Sequence, residues 1–400
     1  MHILIVPSWY RSNKIPLSGT FFREQAQALY RGGHKVGIIF PEKFLTQTDF
    51  FHSPYTIFKE LSQGIECEND CGVLTYRLTF LGWLPRVPYG NSKLFIDAGK
   101  QLFCKYIAEQ GRPDVIHAHS AIYGGALAVE LKKTYEIPVV ITEHCSTFAR
   151  GKFRPWVQKL AAATFSYADK RIVVSPKLGE LLQNLYQDDF STWDWVPNLV
   201  DPLFTNFGSH YLTESNRPFR FLNIANLTEN KNHKNLLLAF TEGFKGNTTV
   251  ELRIGGSGLK QSELEKMTSE LDIKKQVKFL GELSREQVLE EMQQADVFVL
   301  SSDYETFGVV LIEALACGKS VIATTCGGPE CIVNDKNGLL VPTRNVEKLS
   351  IAMQTMHKDI ELYNPTIISQ DCLVRFGGQV VVQQLTEIYH ELVPNTVKIS

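Results

Sequence analysis

The sequence lacks the signals of a secreted or membrane-spanning protein. Its 400 residues contain no run of 18 apolar residues, so no transmembrane helix of ordinary length is predicted. The first residues, MHILIVPS, have no basic region, long apolar core or small-residue cleavage site of a signal peptide. We therefore expect a soluble cytoplasmic protein whose thiols are reduced.

Metal-binding patterns are also missing. The eight cysteines are scattered, and the pair Cys67 and Cys71 has no second Cys or His pair at zinc spacing. Cysteines within apolar runs are typical of buried free thiols. The sequence therefore predicts no metal site.

The chain has no strong excess of charge of either sign. Its net charge of −2 argues against a general nucleic-acid-binding protein. The balance differs between the halves, however. Residues 1–195 carry 22 Lys and Arg against 18 Asp and Glu, a net +4, and residues 196–400 carry 19 against 25, a net −6. This asymmetry indicates that the first half meets an anionic partner.

Short apolar runs alternate with helical periodicities, which predicts an α/β protein. A strand over His2–Val6, a helix over Phe21–Arg31 and a strand over Lys35–Phe40 form a βαβ opening, which implies a parallel sheet covered by helices. The turn between the first two lacks G-x-G-x-x-G, so no dinucleotide fingerprint is present there. Residues 42–75 give no clear periodicity.

A turn-rich stretch, WVPNLVDP, divides the chain, and strand–helix alternation resumes after it. We therefore predict two doubly wound, Rossmann-like domains that face a central cleft. The predicted limits are 1–195 for the first domain, 196–204 for the linker, 205–375 for the second domain, and 376–400 for a C-terminal helix and tail.

The most informative segment is SSDYETFGVVLIEALACGKSVIATTCGG, residues 301–328. A strand is predicted over Val297–Leu300 and a helix over Val309–Cys317, which ends at a glycine. Glu305 precedes this helix and Glu313 lies inside it, so eight residues, or roughly 12 Å of helix rise, separate the two carboxylates. That length suits a ligand with a sugar at one end and a ribose at the other. A diphosphate between them would face the helix N-terminus, which favours anions.

Other candidate residues follow predicted strands, where α/β sheets bind ligands. They are His119, Glu143, His144, Lys231 and Gly256, and Gly19 lies in the first βα loop. Structural explanations stay open for several of them: a core histidine at 119, a solvated loop lysine at 231, an ordinary turn at Gly255–Gly258, and a helix-capping carboxylate at Glu305. Glu143 and His144 are either acceptor-site residues or structural ones. Glu313 lies in an apolar helix, where an unpaired carboxylate is costly, which favours a ligand or a structural partner.

Five segments resemble the motifs of one known family: GTFFREQAQAL (19–29), DVIHAHS (114–120), VPNLVD (196–201), LTENKNHKNLLLAF (227–240) and the block from Phe279 to Ala323. The last of these is highly specific. On these motifs the chain resembles the retaining glycosyltransferases of the GT-B fold, the E-x7-E group (family 4-like) that builds bacterial polysaccharides and glycolipids.

The resemblance implies a role for each candidate residue. Glu305 would meet the donor sugar and Glu313 the ribose hydroxyls, while Lys231 would neutralise the leaving diphosphate. Gly19 has no Cβ and would let the first loop approach the phosphates. The backbone of Thr306, Phe307 and Gly308 would meet the sugar or diphosphate, and Leu283 would hold the base. Gly256 and Asn226 would also contact the donor. His119 would lie beside the reactive carbon of the sugar, and Glu143 and His144 would face the acceptor.

The sequence departs from the family in one place. Where the family has Gly-Arg before its Lys, this chain has Ala225 and Asn226, so a second cation is missing from the predicted phosphate site. Lys234 or the helix N-terminus would have to replace it.

The resemblance implies retaining transfer of a sugar from a UDP- or GDP-sugar to a glycan or lipid-linked acceptor, in surface polysaccharide, lipopolysaccharide or capsule synthesis. No D-x-D motif occurs, which favours a metal-independent and cofactor-free reaction in which Lys and the helix dipole meet the developing charge. Two alternatives are a nucleotide-sugar 2-epimerase of the same architecture and a non-catalytic sugar-nucleotide-binding protein.

Two stretches, 82–105 and 146–177, combine basic and aromatic residues. They are either ordinary amphipathic helices or a surface that faces an anionic membrane, where a lipid-linked acceptor would lie. The second interpretation predicts peripheral association with the inner face of the cell membrane.

Overall fold

The computed structural model describes residues 1–11, 18–44, 61–62, 64–84, 87–149, 151, 154–186, 192–205 and 217–393. The chain divides into two compact units. Unit 1 contains Met1–Val174, Leu178–Pro197 and Val381–Ser400, and unit 2 contains Ser175–Lys177 and Asn198–Val380. The chain therefore passes into unit 2 within the turn-rich stretch noted above, and its last helix belongs to unit 1.

Unit 1 is built on an eight-stranded sheet with helices between its strands. The strands are β1 (His2–Pro7), β2 (Lys35–Phe44), β3 (Ile65–Asp70), β4 (Val73–Leu81), β5 (Val115–His119), β6 (Val139–Glu143), β7 (Lys170–Val173) and β8 (Asp194–Trp195). The helices are α1 (Thr20–Arg31), α2 (Gly90–Gln110), α3 (Ala126–Tyr135), α4 (Pro155–Tyr167) and α5 (Pro176–Leu185). The predicted βαβ opening is confirmed.

The strand order in unit 1 is β3-β4-β2-β1-β5-β6-β7-β8. All the pairings are parallel except β3 with β4. The chain turns between β3 and β4 at Cys71 and Gly72, which both have positive φ, 53° and 92°, as the tightest hairpin turns require. Strand β3 and this turn lie within residues 42–75, which show no clear periodicity because β3 is polar and mostly exposed.

Unit 2 has a six-stranded parallel sheet. Its strands are β9 (Phe219–Ile224), β10 (Val250–Gly255), β11 (Val277–Gly281), β12 (Val297–Leu300), β13 (Ser320–Thr324) and β14 (Gly338–Val341). Its helices are α6 (His233–Phe244), α7 (Gln261–Glu270), α8 (Arg285–Gln294), α9 (Val309–Ala316), α10 (Val346–Lys358) and α11 (Pro365–Phe376). The predicted strand Val297–Leu300 is confirmed, and the predicted helix Val309–Cys317 is observed as α9, whereas β14 and α11 were not predicted.

The strand order of unit 2, β11-β10-β9-β12-β13-β14, is that of a doubly wound Rossmann-like sheet. Buried apolar residues from strands and helices fill its core, among them Phe221 and Leu252 on strands and Leu236 and Phe240 on α6. The order reverses between β9 and β12, so the loops after these two strands flank the point where such sheets bind ligands. In unit 1 the corresponding point lies between β1 and β5.

The last helix, α12 (Gly378–Leu392), packs against the strands and loops of unit 1. Tyr389 is fully buried, and its hydroxyl lies 2.6 Å from Nδ1 of His117 on β5. Thr386 lies 3.0 Å from Nε2 of His34. Unit 1 therefore includes residues from both ends of the chain.

Candidate active site

The loops after β9 and β12 bring two charged candidates into contact. Lys231 ends a 3-10 turn over Glu229–Lys231, and its Nζ lies 2.6 Å from Oε1 of Glu305. Ser302 donates its hydroxyl to the same carboxylate oxygen at 2.6 Å. Both charged side chains keep some exposure, 25% for Lys231 and 14% for Glu305. The switch point of unit 2 therefore carries an accessible, oriented ion pair.

Several hydrogen bonds hold these two loops together. The Asp303 N–H donates to the Asn230 carbonyl at 2.8 Å, and the Asn230 amide donates to the Tyr304 carbonyl at 2.9 Å. Asn232 donates to Oδ1 of Asp303 at 2.8 Å, while Arg344 donates to Oδ2 at 2.7 Å. These hydrogen bonds tie the loop that carries Lys231 to the loop that carries Glu305.

Helix α9 points its N-terminus at the same region. Among the described residues, no acceptor is found for the N–H groups of Gly308, Val309 and Val310, so these groups are available to an anion. Phe307 is buried with its ring 5.8 Å from that of Phe376, and so its side chain cannot be offered to a ligand. Thr306 is half-buried. A ligand here would meet mainly backbone.

Glu313 lies one turn further along α9 and is fully buried. Its Oε1 accepts from Nη1 of Arg285 at 2.6 Å, whereas Oε2 has no hydrogen-bond partner among the described residues. Burial raises the pKa of Glu313, and the neighbouring Arg285 opposes that rise. The buried carboxylate thus has one satisfied oxygen and one that still needs a donor.

The loop after β10 lies directly against the loop after β9. Gly256 has φ of +125°, and a Cβ built on it would come 2.1 Å from the carbonyl oxygen of Ala225. Only glycine fits that approach. Asn226 is exposed in the neighbouring loop, and Leu283, which follows β11, is half-buried. Gly256 therefore sets the distance between two loops at this edge of the sheet.

Lys234 was expected as one substitute for the missing second cation. It is exposed on α6. The hydrogen bond and charge of Lys260 lower the pKa of Glu263, and the charge of Lys234 adds to this in the same direction. The N–H groups at the start of α9, which have no acceptor among the described residues, are the other expected substitute.

In unit 1, His119 ends β5 at the switch point and is fully buried. Its ring lies 4.5 Å from those of Phe22 and His117, and its Nδ1 lies 3.0 Å from Nε2 of His144. Burial lowers the pKa of His119 well below its usual range and that of His144 to about 3. Both rings are therefore neutral at physiological pH, and the N–H of one donates a hydrogen bond to the bare nitrogen of the other.

Gly19 and Glu143 frame this histidine pair. Gly19 precedes α1 with φ of +67°, and a Cβ on it would come 3.0 Å from the Trp9 carbonyl oxygen. Glu143 is fully buried and accepts hydrogen bonds from the backbone N–H groups of Ala121, His144 and Cys145 at 2.9, 2.8 and 2.7 Å. Both its oxygens are thus engaged within unit 1, where they fix the loop that carries His144. Its predicted contact with an acceptor stays a prediction.

Comparisons with known proteins place both halves of the chain in one class of enzyme. The family model described as "Glycosyltransferase Family 4" matches residues 18–203, and the model "Glycosyl transferases group 1" matches residues 211–367. The chain belongs to the GT-B glycosyltransferases. The glycogen synthase of Mycobacterium tuberculosis is 24% identical over 369 residues, which cover 90% of this chain and 86% of the relative.

Solved structures show the same fold. The sucrose-phosphate synthase of Thermosynechococcus elongatus superposes with a TM-score of 0.75 over 98% of this glycosyltransferase and 99% of that chain, at 19% identity. The HepE protein of Anabaena, solved with UDP, gives 0.69 over 98% and 100% of the two chains, also at 19% identity. The predicted fold class, two Rossmann-like domains of the GT-B type, is confirmed.

Sequence reasoning missed several residues that shape the site of this glycosyltransferase. Arg285, Asp303 and Arg344 position Glu313 and the Lys231 loop, and none of them was singled out. One signal could have found Arg285: a carboxylate predicted inside an apolar helix needs a buried cation, and Arg285 lies in the same sequence block. Asp303 and Arg344 gave no such signal.

The described residues of the glycosyltransferase contain neither a metal-binding cluster nor a helix that could span a membrane. No group of three or more His, Cys, Asp or Glu residues there is arranged to hold a metal ion. None of the helices described is both long enough and apolar enough to pass through a bilayer.

Proposed function

We propose that this glycosyltransferase moves a sugar, with retention, from a nucleoside-diphosphate sugar to a glycan or lipid-linked acceptor in surface polysaccharide or glycolipid synthesis. The observation that carries the proposal is the ion pair of Lys231 and Glu305, which lies at the switch point of unit 2. The N-terminus of α9 and the buried Glu313 complete a row of groups that suits such a donor.

Each group in this row has chemistry that matches one part of the donor. The ammonium of Lys231 and the free N–H groups of α9 would stabilise the negative charge that develops on the leaving diphosphate. Glu305 accepts hydrogen bonds and would receive them from sugar hydroxyls. Glu313 has one oxygen without a partner, which would accept from the ribose. No metal ion is needed for this division of roles.

Retention does not require a covalent intermediate here. Glu305 is already engaged by Lys231 and Ser302 at 2.6 Å each, which suits a binding role better than that of a nucleophile. The leaving diphosphate can itself accept the proton of the acceptor hydroxyl on the face from which it departs. Burial keeps His119 neutral, so its part in the reaction would be that of a hydrogen-bonding group rather than of a positive charge.

A thermal-shift screen tests the donor class. We expect one of UDP-, GDP- and ADP-sugars to raise Tm progressively as its concentration exceeds its Kd, because the ligand binds only the folded state. UDP is a reasonable first choice because the structurally similar HepE protein binds it. Lys231→Ala should abolish most of the shift. Equal and negligible shifts with all three donors would contradict the proposal.

Product analysis separates the proposed reaction from its alternatives. A glycosyltransferase releases nucleoside diphosphate in proportion to the glycosylated acceptor. Conversion of the donor to its 2-epimer without any acceptor would instead favour the epimerase. Donor binding without turnover on any tested acceptor would favour the non-catalytic alternative.

We also propose that unit 1 contacts an anionic membrane. The two basic and aromatic stretches meet in the fold, since the rings of Tyr89 and Trp156 lie 5.3 Å apart. Trp83, 63% exposed, lies in the same stretch as Tyr89, and Arg154 and Lys159 are exposed beside Trp156. Arg86, Arg150, Lys152 and Phe153, which belong to the prediction, lie outside the described residues. Exposed aromatics flanked by cations suit a lipid headgroup region.

Co-sedimentation with liposomes checks this surface. The double variant Trp83→Ala, Tyr89→Ala should bind vesicles containing anionic lipid about tenfold less tightly than the wild type, because it removes apolar area that would enter the interface. Tyr30→Ala is a matched control, since Tyr30 is 44% exposed on α1, outside both stretches. Equal, negligible binding of the wild type to anionic and neutral vesicles would refute the membrane contact.

A further inference from the structure

Glu313 is an unusual buried carboxylate because only half of it is satisfied. Its side chain is 1% exposed. One oxygen, Oε1, accepts a hydrogen bond from Nη1 of Arg285 at 2.6 Å. The other, Oε2, has no hydrogen-bond partner in the described part of the chain. A buried ionised oxygen without a donor is costly, so it is expected to be completed by a ligand.

The guanidinium of Arg285 is itself held from two other directions. Its Nη2 donates to Oδ2 of Asp201 at 2.9 Å, and its Cζ lies 4.8 Å from the centre of the Phe204 ring, within cation–π range. Asp201 is fixed in turn, because its Oδ1 accepts from the Leu203 N–H at 2.9 Å. These contacts leave the guanidinium little freedom to rotate.

We infer that Arg285 is the positioning residue of Glu313: it occupies Oε1 and so directs Oε2 toward the vicinal hydroxyls of the donor's ribose. The inference rests on the proposed function, which supplies the nucleotide. It goes further by assigning the recognition of the ribose to a three-residue unit, Asp201, Arg285 and Glu313, rather than to a single carboxylate.

Arg285 has a second effect on the same carboxylate. Burial favours the neutral form of Glu313 and raises its pKa, whereas the charge of Arg285 favours the ionised form. An ionised oxygen accepts a hydrogen bond about twice as strongly as a neutral one. Removing Arg285 would therefore weaken the hydrogen bond to the ribose as well as loosen its direction.

The test compares nucleotides that differ only in the ribose. Isothermal titration would measure UDP, GDP and ADP, each with its 2′-deoxy and 3′-deoxy counterparts, against the wild type and Arg285→Gln. The wild type should bind the ribonucleotide about 10- to 100-fold more tightly than the deoxy forms, as hydrogen bonds to a charged group usually allow. In Arg285→Gln this ratio should fall to about threefold or less. Arg285→Lys and Asp201→Asn should give ratios between these two. They replace Arg285→Gln as the test if that variant does not fold.

A matched control separates positioning from stability. Arg253→Gln breaks an ion pair with Glu291, whose contacts of 2.7 and 2.6 Å anchor the same helix, α8. This variant should lower Tm but keep the wild-type ratio. If Arg285→Gln, Arg285→Lys and Asp201→Asn all keep the wild-type ratio, or if the wild type itself does not distinguish ribose from deoxyribose, the inference is wrong. If the wild type binds none of the three diphosphates, the proposed function fails with it.

Discussion

Lys231→Ala and Glu305→Gln are each expected to lower kcat/KM for sugar transfer by about 100-fold or more, because in the proposed site each removes a charge at the reacting end of the donor. The Lys231→Ala substitution removes the ammonium that would face the leaving diphosphate. Glu305→Gln keeps the size of the side chain but removes the counter-charge 2.6 Å from Lys231. The measurement is steady-state transfer with the donor found by the thermal-shift screen.

Because the two residues form one pair, their losses should not add. The double variant should lose far less than the product of the two single losses, as expected for groups in direct contact. Lys266→Ala is the matched control: Lys266 lies on α7 of the same unit, and its exposed side chain pairs only with Glu270 of the same helix, at 3.2 Å, among the described residues. Single variants with near wild-type rates would overturn the assignment of the site.

The parallel sheets were predictable because their strands are short, buried and apolar. Val297–Leu300 is buried at every position, and the helix after it ends beside a glycine. The hairpin of β3 and β4 was not predictable from periodicity, since IECEND is polar and exposed at an edge of the sheet. The placement of such a strand depends on its partner rather than on its own pattern.

The candidate residues were predictable individually, but their contacts were not. Lys231 and Glu305 are 74 positions apart, and Arg285 and Asp201 are 84 apart. Sequence motifs mark the ends of strands, and the order of those strands decides which ends meet. The helix that carries Tyr389 illustrates the same limit, because its contact with His117 spans 272 positions and joins the two ends of the chain.

Gly256→Ala is expected to be among the most destabilising single substitutions in unit 2. The new Cβ would meet the Ala225 carbonyl oxygen at 2.1 Å, and the φ of +125° is strained for any other residue. Strain of about 1–3 kcal/mol and a clash of similar size together suggest about 3 kcal/mol or more. For a unit of this size that corresponds to a drop in Tm of roughly 6–12 °C. Calorimetry of the whole chain should resolve the change in the transition of unit 2.

Gly246→Ala isolates the strain from the clash. Gly246 also has positive φ, +80°, but a Cβ built there would meet nothing within 4 Å. Its substitution should therefore cost only about 1 kcal/mol, or roughly 2–4 °C in Tm. Donor affinity should fall in Gly256→Ala and not in Gly246→Ala, since only the first moves the backbone between Ala225 and Lys231. Equal losses of Tm in the two variants would show that the loops after β9 and β10 can separate without cost.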